Sequence, residues 1–156
     1  MTSELVIKIF ADWAMIPIIL LGSYALIFKI PNNRKLKSYS ILIMAGLTAY
    51  LIAKIISMIY QPSEMRPFEL LGTVAGASFL NNPGFPSDHT LLISALTLAV
   101  WFETKQKVIT IIMAVLTITV CIGRVLALVH TPADVIGGVI IATIGAVWYF
   151  IQYKKP

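Results

Sequence analysis

Residues 108–129 read VITIIMAVLTITVCIGRVLALV, twenty-two positions that carry a single charge, Arg124. A helix needs about 20 predominantly apolar residues to cross a bilayer, and this run supplies them without a polar face. Four more runs have the same character: Trp13–Ile30, Tyr39–Tyr60, Pro86–Phe102 and Pro132–Ile151. Each is apolar all round, as a lipid-facing or buried helix is. The composition agrees. Hydrophobic residues make up 58% of the 156, charged residues 12%, and the mean hydropathy is +0.88. A soluble domain carries about 25% charged residues, so this chain could not cover its surface in water. Disorder is excluded for the same reason. The single cysteine, Cys121, rules out an internal disulfide framework and a cysteine-based metal site. The net charge of +5 would suit nucleic acid only as an exposed basic stripe, and here the basic residues are scattered between apolar runs. The expectation is an all-α, polytopic membrane helix bundle of five transmembrane helices, a single domain over 1–156, with no nucleic-acid partner.

The basic residues set its orientation. Lys29, Arg34, Lys35 and Lys37 lie in the first connection, Lys105 and Lys107 in the third, and Lys154 and Lys155 in the tail. Five spans put these three regions on one side, which the positive-inside rule makes the cytoplasm. The N-terminus is then outside and the C-terminus inside. Glu4, Lys8 and Asp12 in the leading segment, with no small-residue cleavage site after the first run, mark that run as a retained span rather than a secretory signal. The first ten residues have a short pattern that would suit an interfacial helix. One connection is long: residues 61–85, with Pro62, Pro67, Gly72, Gly76, Pro83 and Gly84, form an outer segment of the kind that serves as a lid or binding loop. Within it, Pro67–Leu80 is partly apolar and suggests a short interfacial or re-entrant helix.

Ionisable groups in or at the rim of a membrane are costly and mark functional sites by default. Here they are Lys54, Arg66, Asp88, His89, Arg124, His130 and Asp134, and the topology places all of them near the outer face. Both histidines of the chain are among them. Each also has a plainer reading. Pro86-Ser87-Asp88 is a good helix start, in which Ser87 or Asp88 would cap free N–H groups. Arg124 would suit a helix C-terminus. Lys54 lies about 9 Å of helix from the end of its span, within snorkelling reach of the interface. His130 and Asp134 are harder to set aside. Four residues apart across a helix start, they lie on one face. There a carboxylate can fix the imidazole tautomer and make the other nitrogen a better nucleophile or base. Nucleophile, orienting carboxylate, second acid and a ring of cations together make an inventory for phosphoryl transfer.

Phe85-Pro-Ser-Asp-His-Thr90 resembles the second motif of the type-2 phosphatidic acid phosphatase superfamily, Pro-Ser-Gly-His. Gly123-Arg-x(5)-His130-x(3)-Asp134 resembles its third motif, with the spacing intact from the arginine onward. The resemblance covers Tyr39–Ile151, and many members have six spans where this chain has five. It implies a phosphatase that needs no metal or other cofactor. His130 would attack phosphorus to form a phosphohistidine, with Asp134 orienting its ring. His89 would protonate the leaving oxygen and then help activate water. Arg124, Ser87, Arg66 and Lys54, with Asp88 beside them, would make up the phosphate-binding set.

Three departures stand out. Asp88 replaces the commonest glycine, in a style similar to undecaprenyl-diphosphate phosphatases of the bacitracin-resistance type. Gly123 replaces a serine before Arg124. The first motif, Lys-x(6)-Arg-Pro, is irregular: at that spacing Lys54 meets Gln61-Pro62, and Arg66-Pro67 arrives five residues late. Arg66 is the better candidate, because a guanidinium supplies a charge and a fork that an amide lacks.

An outward site at the headgroup level of a plasma membrane suits an amphiphilic phosphate. The resemblance points to undecaprenyl diphosphate, with phosphatidylglycerophosphate or phosphatidic acid as the alternative. A proton- or ion-coupled transporter is the rival of another class, but transporters place such groups near the midplane with broken helices and repeats. A purely structural role, with Gly137 and Gly138 packing helices, leaves both histidines unexplained. A haloperoxidase would be soluble and much larger. The sequence leaves the oligomeric state open.

Overall fold

The computed structural model describes residues 2–62, 65–82 and 84–153, all of whose regular elements are helical. Ser63, Glu64 and Pro83 of the outer segment, and Lys154 and Lys155 of the tail, lie outside the described residues. The first element is α1 (Thr2–Lys8), joined through a π-helical turn at Ile9–Trp13 to α2 (Met15–Phe28). A short 3-10 turn at Asn32–Arg34 leads into α3 (Lys35–Ile59), and α4 (Pro67–Leu70) is a single turn in the outer segment. The bundle is completed by α5 (Asp88–Thr104), α6 (Lys107–Leu126), α7 (Pro132–Gly145) and α8 (Val147–Tyr153).

Four stretches are long and apolar enough to cross a membrane: Ser3–Phe28, Asn32–Ile59, Lys107–Leu126 and Pro132–Gln152. The remaining expected span is α5, a 17-residue helix that packs against α2, α3, α6 and α7 in the middle of the bundle. It stops at Lys105, which takes a left-handed conformation at φ 58°. Two expectations change at the N-terminal side. The first ten residues do not form a separate interfacial helix, because α1, the π-turn and α2 run on as one helical stretch over Ser3–Phe28. Among the described residues of the outer segment, helix is confined to Pro67–Leu70 and does not extend over Pro67–Leu80.

The distribution of polarity is inverted relative to a protein in water. Leu20, Phe28, Leu36 and Ile59 are between 65% and 84% exposed, while Arg124 and Ser87 are fully buried. With lipid outside, apolar packing gives little drive for helices to associate, so close fit and interior polar groups hold the bundle together. Small residues provide that fit. A Cβ on Gly145 of α7 would stand 2.6 Å from the Ala45 carbonyl oxygen and 2.8 Å from the Ala49 Cβ of α3. Only glycine lets these two backbones meet. Above this point Ala49 and Ala53 of α3 pack with Leu91, Ile141 and Ala142.

The same device aligns α5 with α7. Gly137 receives the Phe85 ring, and a Cβ on Gly138 would lie 3.0 Å from the Ser87 carbonyl oxygen. The Ser87 N–H donates to the Asp134 carbonyl oxygen at 3.0 Å. The two glycines expected to pack helices do so, and the segments they bring together are 85–90 and 130–134.

Candidate active site

The chain direction of each helix brings one end of it to a common rim: the start of α5, the end of α6, the start of α7 and the last turns of α3. His130 sits in the short link between α6 and α7 and is 4% exposed. Its Nδ1 faces the Asp134 Oδ2 at 3.5 Å, which is close but longer than a formed hydrogen bond. Such contacts often tighten only when substrate binds. Oδ2 is itself held in place, accepting from the Thr131 N–H at 2.8 Å, while the Thr131 hydroxyl accepts from the Asp134 N–H at 3.2 Å. This capping box fixes the carboxylate opposite the imidazole. Burial pushes the His130 pKa below its ordinary value; the Asp134 contact opposes this, and the Arg124 and Arg66 charges push it down further. On balance the site favours the neutral ring.

Ser87 occupies the cap position of α5, yet its side chain makes no cap bond. Its hydroxyl is fully buried and without a partner, so the plain capping reading does not hold. His89, the second residue of α5, lies within electrostatic reach of Arg124, His130, Asp12 and Asp88. Asp88 accepts from the Asn82 amide at 2.8 Å and faces Lys54 Nζ at 3.9 Å. Lys54 Nζ also lies over the Tyr50 ring at 5.4 Å, so its head group sits at the rim between Tyr50 and Asp88. Asp88 thus lies between Lys54 and Asn82 at the start of α5.

Arg66 is brought to the site in an unexpected way. Its Nη1 donates to the Val129 carbonyl at 2.6 Å, and Nη2 donates to the Leu80 carbonyl at 2.9 Å and to both oxygens of Asn82 at 3.1 Å. Both Nη groups are engaged with backbone and amide oxygens, so Arg66 chiefly ties the outer segment to the residue before His130. With Asp134 and Thr131 it lines a small polar cavity of about 100 Å³. Gln61 is engaged elsewhere: its amide donates to the Ser57 and Phe85 carbonyls and accepts from the Phe85 N–H.

Arg124 is fully buried. Its Nη1 donates to Asp12 Oδ1 at 3.0 Å and to the Ser78 carbonyl at 2.7 Å, while Nε and Nη2 have no partner. Asp12 also accepts from the Ser78 N–H at 3.0 Å and hydroxyl at 2.9 Å. Asp12, Ser78 and Asn82 were not expected at the site. The signal for Asp12 was an acid in an otherwise apolar stretch; it fell one residue before the start assigned to the first span. The expected residues His130, His89, Asp134, Arg124, Ser87, Lys54, Asp88 and Arg66 all gather around this rim. Among the described residues no three His, Cys, Asp or Glu side chains converge as a metal site.

The PAP2 superfamily matches residues 36–156 of the chain, which include every one of these groups except Asp12. The chain belongs to the PAP2 superfamily. Membership implies phosphatase activity on lipid-type phosphates and fits a multi-pass membrane protein. No curated protein and no solved structure gives a significant match.

Proposed function

We propose that this PAP2 protein removes phosphate from a long-chain lipid phosphate or diphosphate at the outer face of the plasma membrane, with undecaprenyl diphosphate as the physiological substrate. The observation that carries the reading is the buried His130 facing Asp134, which a capping box holds in place, beside two sets of hydrogen-bond donors without partners, Ser87 Oγ and Arg124 Nε/Nη2.

His130 attacks phosphorus through Nε2, the bond to the leaving oxygen breaks, and His89, entering the step as the imidazolium, gives that oxygen a proton and is left neutral. His89 then takes a proton from water. The resulting hydroxide displaces His130 from phosphorus and releases inorganic phosphate. Splitting the displacement in two replaces one difficult step with two easier ones. Arg124 and Ser87 hold the equatorial oxygens, and the charges of Lys54 and Arg66 stabilise the transition state. No metal takes part in this scheme. We read α5 as the fifth span: at about 1.5 Å per residue its 17 residues reach roughly 26 Å, near the thickness of the hydrocarbon core.

A lipid tail has a place to lie. An apolar cavity of about 390 Å³ opens between α3 and α5 beside Lys54 and Asp88, lined below them by Gly46, Ala49, Leu92 and Ala95. A further cavity of about 140 Å³ shares Gly46, Leu92 and Ala95 and continues toward Tyr149. The shared lining supports a single extended chain.

Phosphate release from undecaprenyl diphosphate, phosphatidic acid and phosphatidylglycerophosphate, compared in one mixed-micelle assay, tests the assignment. The diphosphate is expected to be preferred, with His130→Ala and His89→Ala each inactive and EDTA without effect. A clear preference for either glycerophospholipid overturns the substrate. An active His130→Ala overturns the mechanism, and loss on chelation overturns its independence from metal.

A further inference from the structure

We infer that Asp12, from the N-terminal helix, is the positioning residue of Arg124: it clamps one side of the guanidinium so that Nε and Nη2 are presented as a pair to the phosphoryl group. This rests on the phosphatase reading above and adds to it a segment that lies outside the matched family region, residues 36–156.

The guanidinium has five N–H donors in a fixed fork. Both hydrogens of Nη1 are engaged, one by Asp12 Oδ1 and one by the Ser78 carbonyl. The remaining edge, Nε with Nη2, is buried and has no acceptor. Buried donors without partners are costly, and this edge has the geometry that grips two oxygens of one phosphate in parallel. Asp12 is in turn held by Ser78 through its N–H and its hydroxyl, so the clamp cannot swing freely.

The backbone explains how the N-terminal helix comes close enough. Asp12 lies in the π-turn Ile9–Trp13, where the Ala14 N–H reaches back to the Ile9 carbonyl at 2.9 Å. Such turns insert a residue into a helix and redirect its side chains. The turn rests on Gly123. A Cβ there would stand 2.6 Å from Ala11 N and 2.7 Å from Phe10 C, both backbone atoms. The glycine before Arg124 is therefore the seat of the π-turn, and what it lacks as a hydroxyl donor it returns by admitting Asp12.

Orthovanadate, a mimic of the transferred phosphoryl group, is titrated against the full-length protein in detergent, and binding is read calorimetrically. D12A is expected to weaken vanadate about tenfold, the scale of one lost charge-assisted bond. D12N keeps an acceptor for Nη1 and is expected to stay within about threefold of the native protein, on the weaker side. Gly123→Ala leaves Asp12 present but displaces its turn, and is expected to match D12A, with the double variant no weaker than either single one. A mere counter-charge predicts the opposite sign: removing a negative group beside an anion site would tighten vanadate in D12A and D12N alike. Tighter or unchanged binding in D12A overturns the proposal, as does tighter binding in D12N or an additive double variant. If D12A does not fold, D12N and Gly123→Ala carry the same test. Failure of the native protein itself to bind vanadate overturns the phosphatase reading, and this proposal with it. Native binding with D12A and Gly123→Ala unaltered overturns the clamp alone.

Discussion

His130 owes its chemistry to neighbours acting against one another. Burial favours the neutral ring, the Arg124 and Arg66 charges favour it further, and Asp134 works in the other direction. An imidazole ordinarily titrates at about 6.5, so the acid limb of kcat/KM is expected below that value, with activity falling only as the pH drops through it. Asp134→Asn removes the group that raises the pKa. The limb should therefore move to still lower pH while kcat falls about a hundredfold, because the ring loses its orienting partner. A pH–rate profile of both proteins checks the sign, and a limb that moves upward contradicts the arrangement. Ser87 makes a separate residue-level case. Its hydroxyl neither caps α5 nor finds another partner, so Ser87→Ala should leave stability unchanged or slightly raised, because an unpaired buried hydroxyl is costly. Its vanadate affinity should still drop several-fold. The facing of His130 and Asp134 was legible in the sequence, because four residues across a helix start leave the two side chains on one face. The engagement of Arg66 with Val129, Leu80 and Asn82 was not, because those acceptors are mostly backbone carbonyls and carbonyls leave no trace in residue identity.

At the scale of elements, glycine positions decide which helix faces which, and the structure sorts them into two kinds. Gly145 is in backbone contact with α3, whereas a Cβ on Gly46 would meet nothing within 4 Å. Gly145→Ala is expected to force α3 and α7 apart and cost about 1–3 kcal/mol. Gly46→Ala should be neutral or stabilising by up to about 1 kcal/mol through helix propensity. Thermal unfolding in detergent distinguishes the two, and a reversed order would mean that the α3–α7 seam is wrongly placed. The apolar runs showed where three helices lie to within a few residues: Tyr39–Tyr60 became Lys35–Ile59, Pro86–Phe102 became Asp88–Thr104, and Val108–Val129 became Lys107–Leu126, whereas the first run starts ten residues before Trp13 and the last divides into Pro132–Gly145 and Val147–Tyr153. The N-terminal π-turn escaped the pattern because it keeps an apolar composition and differs only in hydrogen-bond register. Its consequence, the delivery of Asp12 to Arg124, escaped with it.

Across the whole molecule, the few charges fall at two ends. One end holds His89, Arg124, His130 and Asp134. The other holds Lys105, Lys107 and the buried Glu103, whose carboxylate lies 3.9 Å from Arg34. The substrate proposed above requires the first end to face outward, and the basic connections argue for the same sense. Thr73 in the outer segment and Gln106 between α5 and α6 are both exposed and lie in connections that the five-span topology assigns to opposite sides. With the one native cysteine replaced as Cys121→Ala, Thr73→Cys should react with a membrane-impermeant maleimide on intact cells. Gln106→Cys should react only after permeabilisation. Labelling of both from outside would mean that α5 does not cross, leaving an even number of spans. Exchange of the two patterns would place the site in the cytoplasm, and a substrate presented on the inner leaflet would then have to replace the one proposed.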